Sequence, residues 1–131
     1  GEADHGMLAR DVGREVRVAG VTGDPNLSAY VASKHAVIGL TRCAAPGYGP
    51  QGIRVNAVAP APVETRMMRA LETGLGGEHA ESVRKLVIER IPVGRVGTTA
   101  DVAAAVVFLS SRASGLVTGA VLPVDGGWTA Q

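Results

Sequence analysis

The stretch LSAYVASKHAVIGLTR, residues 27–42, carries the pattern that decides the fold of this chain. From Tyr30 onward, apolar and reactive side chains recur at steps of three and four residues, which is the spacing of an α-helix. Ser28 stands at its start, where a serine hydroxyl can cap the first free backbone N–H groups. Pro46 and Gly47 follow the stretch, and we expect them to end the helix because proline lacks the N–H that a helix requires.

Strand and helix patterns alternate along the rest of the chain. GIRVNAVAP alternates apolar and polar side chains, which predicts a strand over residues 52–58. Two amphipathic helices are predicted within residues 65–75 and 78–91, with glycines between them. GAVLPVDGG, residues 119–127, predicts a buried strand and a turn.

The helix before the last strand begins with a capping-box sequence. Thr98 precedes Asp101 by three residues, so that each side chain can bond the backbone N–H of the other residue. Residues 102–111, VAAAVVFLSS, are almost wholly apolar, and we expect this helix to be covered on most sides. The resulting order, helix, strand, helices, helix, strand, is typical of an α/β fold with parallel strands and crossover helices.

Composition and charge exclude several classes of protein. The 131 residues are 46% hydrophobic and 19% charged, as expected for one globular domain or part of one. The net charge of +1 comes without a basic stripe, which argues against a nucleic-acid surface, and no apolar run is long enough for a membrane span. Cys43 is the one cysteine, which fits a reducing compartment and predicts a cytoplasmic protein. The three histidines lack metal-ligand spacing, so we predict no metal site.

Tyr30 and Lys34 are the residues whose chemistry stands out. Their spacing of four places both side chains on one face of the predicted helix. A phenol can donate a proton to a carbonyl oxygen, and a neighbouring ammonium favours the phenolate that remains. The structural alternative is a half-buried tyrosine beside a solvated lysine, and the pair alone does not separate the two interpretations.

Three stretches in order resemble the short-chain dehydrogenase/reductase family. Tyr30–Lys34 fits the Tyr-x-x-x-Lys motif of the family, NAVAP (residues 56–60) followed by Thr65 fits the strand and loop that close over nicotinamide, and TGAVLPVDGG (residues 118–127) fits its C-terminal strand. The resemblance implies a Rossmann-like doubly wound parallel sheet and hydride transfer between NAD or NADP and a small alcohol or carbonyl compound. It covers the C-terminal half of the family fold only.

The resemblance also implies roles for particular residues. Tyr30 and Lys34 would be the catalytic pair and would contact the ribose beside the nicotinamide. The other implied contacts are Pro60, the Val63 backbone and Thr65 for the cofactor, and Met67, Met68 and Leu71 for the substrate pocket. Family members usually associate through the Tyr30 helix and through the helix at 99–111 with the last strand, so a homo-oligomer is expected.

The sequence departs from the family pattern in its first part. Arg17 stands thirteen residues before Tyr30, where the family has a serine that donates to the substrate oxygen, and no glycine-rich cofactor loop occurs. Residues 1–17 therefore read as a divergent N-terminal segment, and residues 18–131 as the C-terminal part of a Rossmann-fold domain. Ala61 replaces a glycine of the family, and its methyl group would be strained if that backbone required a positive φ.

Two hypotheses about function remain open at this point. The first is an NAD(P)-dependent oxidoreductase that acts on an alcohol or carbonyl through Tyr30 and Lys34. The second is a truncated, catalytically impaired remnant of such an enzyme, which acts at most as an association module. The unpaired edge expected for the strand at 52–58 favours self-association in either case.

Overall fold

The computed structural model describes residues 28–131, apart from the side chains of residues 71, 75, 76 and 78. The described helices and strands are α1 (Ser28–Tyr48), β1 (Ala57–Pro60), α2 (Arg66–Gly76), α3 (Ala80–Glu89), α4 (Thr99–Ser110) and β2 (Val121–Val124). This order confirms the succession of helix, strand, helices, helix and strand predicted from the sequence. The predicted boundary between residues 17 and 18 lies outside the described residues, as does Arg17.

The two strands form a parallel pair. Ala57 of β1 lies opposite Val121 of β2, and Pro60 lies opposite Val124. Parallel neighbours require a crossover connection, which α2, α3 and α4 provide. The α/β class with a parallel sheet is therefore confirmed for the described part of the chain.

The first strand begins later than the sequence predicts. The alternation predicted a strand over residues 52–58, whereas β1 runs from Ala57 to Pro60. The polar members of the alternation explain the difference, because Arg54 donates to the carbonyls of Ser111 and Val117 at 3.0 Å each. In the residues before the strand, side-chain hydrogen bonds thus take most of the pairing, beside one backbone bond from the Gly119 N–H to the Val55 carbonyl.

Asn56 continues this side-chain pairing up to the edge of the ladder. Its Nδ2 donates to the Val117 carbonyl at 2.9 Å, and its Oδ1 accepts from the Ala120 N–H at 3.1 Å. The backbone of this segment is already bonded at Val55, whose carbonyl accepts from the Gly119 N–H at 2.7 Å, and the next backbone bond runs from the Ala57 N–H to the Ala120 carbonyl at 2.9 Å. Asn56 therefore fixes the register in which β1 meets β2.

Helix α1 does not end at Pro46, contrary to the sequence expectation. It continues to Tyr48 with Pro46 inside its last turn. A proline this close to the C-terminus removes only its own N–H from the helix, and the remaining residues still bond to the preceding turn. The chain leaves α1 through a 3₁₀ turn, and Gly52 ends that turn with a left-handed φ of 76°.

The hydrophobic core lies at the carboxyl ends of the strands. Its buried members come from β1, the loop after it, α2, α3, the segment between α3 and α4, and the C-terminal turn: Ala59, Ala61, Met68, Val87, Ile91, Val96 and Trp128. Gly126 packs so closely here that a Cβ in its place would lie 2.6 Å from Ile91 Cγ2, and its φ is 61°. The turn after β2 therefore requires a glycine at this position.

Helix α4 begins as predicted and is covered less than predicted. Thr98 and Asp101 form the full capping box, with both reciprocal hydrogen bonds present. Val102, Ala105 and Leu109 share the partly buried face, whereas Val107 on the opposite side is 68% exposed. Because no described segment packs against that outer side, the expectation that most sides of this helix are covered is wrong for the described residues.

Candidate functional site

Helix α1 brings Tyr30 and Lys34 together. The Lys34 Nζ lies 5.1 Å from the centre of the Tyr30 ring, which is within the range of a cation–π contact. The Tyr30 side chain is exposed, and Ser33 donates a hydrogen bond to the Tyr30 carbonyl at 2.7 Å. The arrangement leaves the phenol hydroxyl open to solvent or to a ligand, with a positive charge against its ring.

The loop at residues 60–65 leads from β1 into α2, and its backbone is held from two sides. The Ala61 N–H donates to the Val124 carbonyl at 3.1 Å, which ties the loop to β2. On the other side, the Gly97 N–H donates to the Pro62 carbonyl at 2.9 Å, and the Glu64 N–H donates to the Gly97 carbonyl at 2.8 Å. Ala61 is buried and does not have a positive φ, so its methyl group is not strained there.

Val63 presents unused backbone groups. It forms a parallel bridge with Gly97, in which the neighbours of Val63 in the sequence make the two hydrogen bonds. In a parallel pair of this kind, the N–H and C=O of the bridging residue itself point to the opposite side. Neither group has a hydrogen-bond partner among the residues that the structure describes, so one donor and one acceptor are available to a ligand.

Thr65 ends the loop and caps α2. Its Oγ1 accepts a hydrogen bond from the Met68 N–H at 3.2 Å. A hydroxyl used as an acceptor in a cap keeps its own proton as a donor. Thr65 can therefore stabilise the helix and donate to a ligand at the same time, and the second of these is the role that the resemblance implies for it.

The three side chains predicted for the substrate pocket do not share one environment. Met68 lies in the hydrophobic core at 6% exposure, whereas Met67 is 65% exposed. Leu71 lies in α2, and its side chain is outside the description. Their roles toward a substrate stay predictions. No hydrogen bond or ion pair within residues 28–131 links Tyr30 or Lys34 to the loop at 60–65.

A charged cluster next to this loop was not predicted from the sequence. Glu64 bonds Arg84 through Oε2 and Arg69 through Oε1, the latter at 2.9 Å. Arg84 also reaches the nearly buried Glu72, with Nη1 3.1 Å from Oε1. The hydrogen bonds from Arg84 and then Arg69 hold the pKa of Glu64 below its usual value, and the Glu64 carboxylate in turn raises the pKa of Arg84. Glu64 and Arg84 are 20 residues apart, and no local pattern connects them.

One cavity in the described part of the chain lies away from these residues. This cavity of about 410 Å³ lies between β1, the segment before it and α4, and its lining residues are Gly52, Arg54, Asn56, Val58, Val106, Leu109 and Ser110. None of the predicted catalytic, cofactor or substrate residues lines it. It is therefore not the site that the sequence predicted.

Residues 28–131 contain neither a metal-binding cluster nor a membrane-spanning helix. No group of three or more His, Cys, Asp or Glu side chains there is placed to hold a metal ion. None of the described helices combines the length and the apolar character that crossing a bilayer requires.

Comparison with known proteins agrees with the sequence resemblance. A family model described as enoyl-(acyl carrier protein) reductase matches residues 7–129. The 2-(S)-hydroxypropyl-CoM dehydrogenase 3 of Xanthobacter autotrophicus is 44% identical over 129 residues, which are 95% of this chain and 49% of that protein.

Solved structures give the same result. A short chain dehydrogenase family protein from Francisella tularensis matches with a TM-score of 0.82 at 32% identity, over 86% of this chain and 48% of that one. ElxO, solved with NADP bound, matches with a TM-score of 0.75 at 36% identity, over 87% of this chain and 44% of its own. The likeness confirms a partial Rossmann-like fold.

This chain spans about half the length of the relatives that it matches. Because the family model covers nearly all of the 131 residues, the chain belongs to the short-chain dehydrogenase/reductase family.

Proposed function

We propose that this chain supplies the nicotinamide-side part of an NAD(P)-dependent oxidoreductase that interconverts an alcohol and a carbonyl compound. The observation that carries the proposal is the pairing of an exposed phenol with an ammonium 5.1 Å from its ring on α1. Tyr30 would donate its hydroxyl proton to the carbonyl oxygen during reduction and take it back during oxidation. Lys34 would stabilise the phenolate left behind.

The loop at 60–65 supports a nicotinamide contact through its unused polar groups. A bound NAD or NADP would supply the hydride that reaches the carbonyl carbon. Its carboxamide needs one acceptor for its amino group and donors for its oxygen, and Val63 C=O, Val63 N–H and the Thr65 hydroxyl offer this set. Pro60 would close the loop over the ring, and Tyr30 with Lys34 would bond the ribose.

Titration with NADH and with NADPH tests the proposal. Trp128 is buried in the core near the loop, so its fluorescence and the unfolding temperature are suitable signals. We expect saturable quenching and a raised unfolding temperature for one cofactor or both. The absence of any response at millimolar cofactor would contradict cofactor binding by these 131 residues.

Replacement of Tyr30 tests the proton donor separately from cofactor binding. Tyr30→Phe should lower carbonyl reduction on the order of a hundredfold or more while cofactor binding persists. Tyr48→Phe is the matched control, because Tyr48 is the other tyrosine of the chain and is equally exposed on the same helix. Equal losses in both variants, or none in Tyr30→Phe, would remove Tyr30 from the mechanism.

The exposed apolar surfaces favour a second candidate function. Leu40 on α1 is 69% exposed and Val107 on α4 is 68% exposed. Exposed apolar surfaces mark association sites. The second candidate function is therefore an association module, which forms a homo-oligomer and does not catalyse a reaction. Sedimentation of the cofactor-free chain tests association, and a sharp monomer at all concentrations would contradict it.

We also propose a cytoplasmic location, since Cys43 is an exposed free thiol.

A further inference from the structure

Glu64 lies in the middle of the loop segment that offers polar groups to a ligand. It lies between Val63 and Thr65, the two residues of the loop at 60–65 whose polar groups are open to a ligand. Its backbone N–H is bonded to Gly97, so the residue is fixed to the protein on its backbone side. Its carboxylate points instead to the two helices that follow the loop.

The two carboxylate oxygens of Glu64 are both in use. Oε1 accepts from Arg69 Nε at 2.9 Å, and Oε2 accepts from Arg84 Nη2. Arg69 is 71% exposed, so that ion pair contributes little. Arg84 and Glu64 are each under a third exposed, and the bond between them is a charge-assisted one in a partly enclosed place.

Arg84 is shared between the loop and α2. Its Nη1 bonds Glu72, whose side chain is only 9% exposed, and its Nη2 bonds Glu64. The planar guanidinium has a fixed fork of donors, so anchoring one prong on Glu72 fixes the direction of the other. A residue of α3 thus places the carboxylate of the loop relative to α2.

We propose that Glu64 is a positioning residue, which through Arg84 holds the loop at 60–65 at a fixed distance from the α2–α3 pair and so keeps Val63 and Thr65 in the geometry that a ligand requires. The consequence for nicotinamide affinity rests on the proposed function, whereas the effect on the loop does not. A lone stabilising ion pair would change the stability of the whole chain and would have no selective effect on the loop.

A matched pair of variants distinguishes these roles. Glu64→Gln replaces one acceptor oxygen by an amino group that cannot accept from an arginine, and Glu72→Gln does the same to the other partner of Arg84. Because Glu72 is the more buried carboxylate, Glu72→Gln should lower the unfolding temperature at least as much. The loop, however, is tied to Arg84 by Glu64 alone.

Hydrogen exchange of the cofactor-free chain is the first measurement. The backbone amides of residues 64 and 97 donate to the carbonyls of Gly97 and Pro62. In Glu64→Gln, the exchange rate of these two amides should rise about fivefold or more beyond the rise that the loss of overall stability causes at all amides. Glu72→Gln removes the anchor of Arg84 but keeps the Arg84–Glu64 bond, so it should speed exchange of these two amides less than Glu64→Gln does. Equal effects of the two variants on these amides, or no selective effect of Glu64→Gln, would overturn the proposal.

Cofactor titration of the same variants is the second measurement. Glu64→Gln should weaken NADH or NADPH binding by about fivefold or more, and Glu72→Gln should weaken it less. If the unaltered chain binds neither cofactor, the proposed function fails, and the exchange measurement still decides the positioning role. If Glu72→Gln does not unfold cooperatively, Arg69→Ala serves as the control, since it removes the exposed partner of Glu64 and should barely change exchange at either amide.

Discussion

The two ends of the molecule differ in how their apolar side chains are covered. Around Ile91 and Trp128, where α2, α3 and the C-terminal turn meet the strands, apolar side chains are buried against one another. Along α4, residues as large as Phe108 are 46% exposed. The chain therefore buries its apolar side chains next to the loop at 60–65 and leaves those on the outer side of α4 exposed.

Truncation of a core side chain at the covered end should have the largest effect. Ile91 is 2% exposed, and Ile91→Ala should lower the free energy of unfolding by roughly 2–5 kcal/mol through lost burial and the cavity that remains. Val107→Ala, in the exposed region, should change it by less than about 0.5 kcal/mol. Urea unfolding of both variants measures the contrast, and similar losses would mean that α4 is covered in solution.

The tight turn after β2 offers a second and smaller test of the covered end. Gly126→Ala should destabilise the chain by about 1–3 kcal/mol, because its φ is 61° and the new Cβ would meet Ile91. Gly39→Ala is the matched control on α1, where nothing lies within 4 Å of the added methyl group. There we expect a gain of about 0.5–1 kcal/mol from helix propensity. Denaturant unfolding in which Gly126→Ala proves neutral would show that the C-terminal turn is loosely packed.

Removal of the Asp101 carboxylate at the start of α4 should have the smallest effect on stability. Hydrogen bonds from Arg95 and then Thr98 hold the pKa of Asp101 far below its usual value. Its ionised form therefore stabilises the fold above the unfolded pKa of about 4, and this contribution is lost as the pH falls below that value. Asp101→Asn should lower the unfolding temperature at pH 7, and the gap from the unaltered chain should narrow as the pH approaches 3.

Glu89→Gln is the control for the pH series, because Glu89 is exposed and forms no ion pair within residues 28–131. Its unfolding temperature should follow that of the unaltered chain at every pH. A gap for Asp101→Asn that stays constant down to pH 3 would mean that the carboxylate charge does not contribute, and that the cap acts through neutral hydrogen bonds.

Local features of this fold could be predicted from the sequence because their causes are local. The Tyr30–Lys34 contact follows from helical spacing, and the capping box at Thr98 and Asp101 follows from a separation of three. The parallel order of the strands followed from the succession of patterns. Each of these depends on residues within one turn of each other or on the order of whole elements.

The errors arose where distant residues decide the outcome. The strand prediction began too early because Arg54 and Asn56 bond a segment some 60 residues away, which the alternation of their own neighbours does not reveal. The ion pair between Glu64 and Arg84 joins two elements whose packing sets its geometry. The prediction for Pro46 failed for a different reason, since the cost of a proline depends on how many helical bonds remain beyond it.

The pairing of β1 with β2 has a consequence for how the chain reaches this structure. Asn56 and its partner Ala120 are 64 residues apart, with three helices between them. Closing so long a loop costs entropy before any contact offsets it, so the helices must be largely formed before the strands can meet. We therefore expect the register set by Asn56 to appear late in folding, after the helices of the crossover have collapsed onto one another.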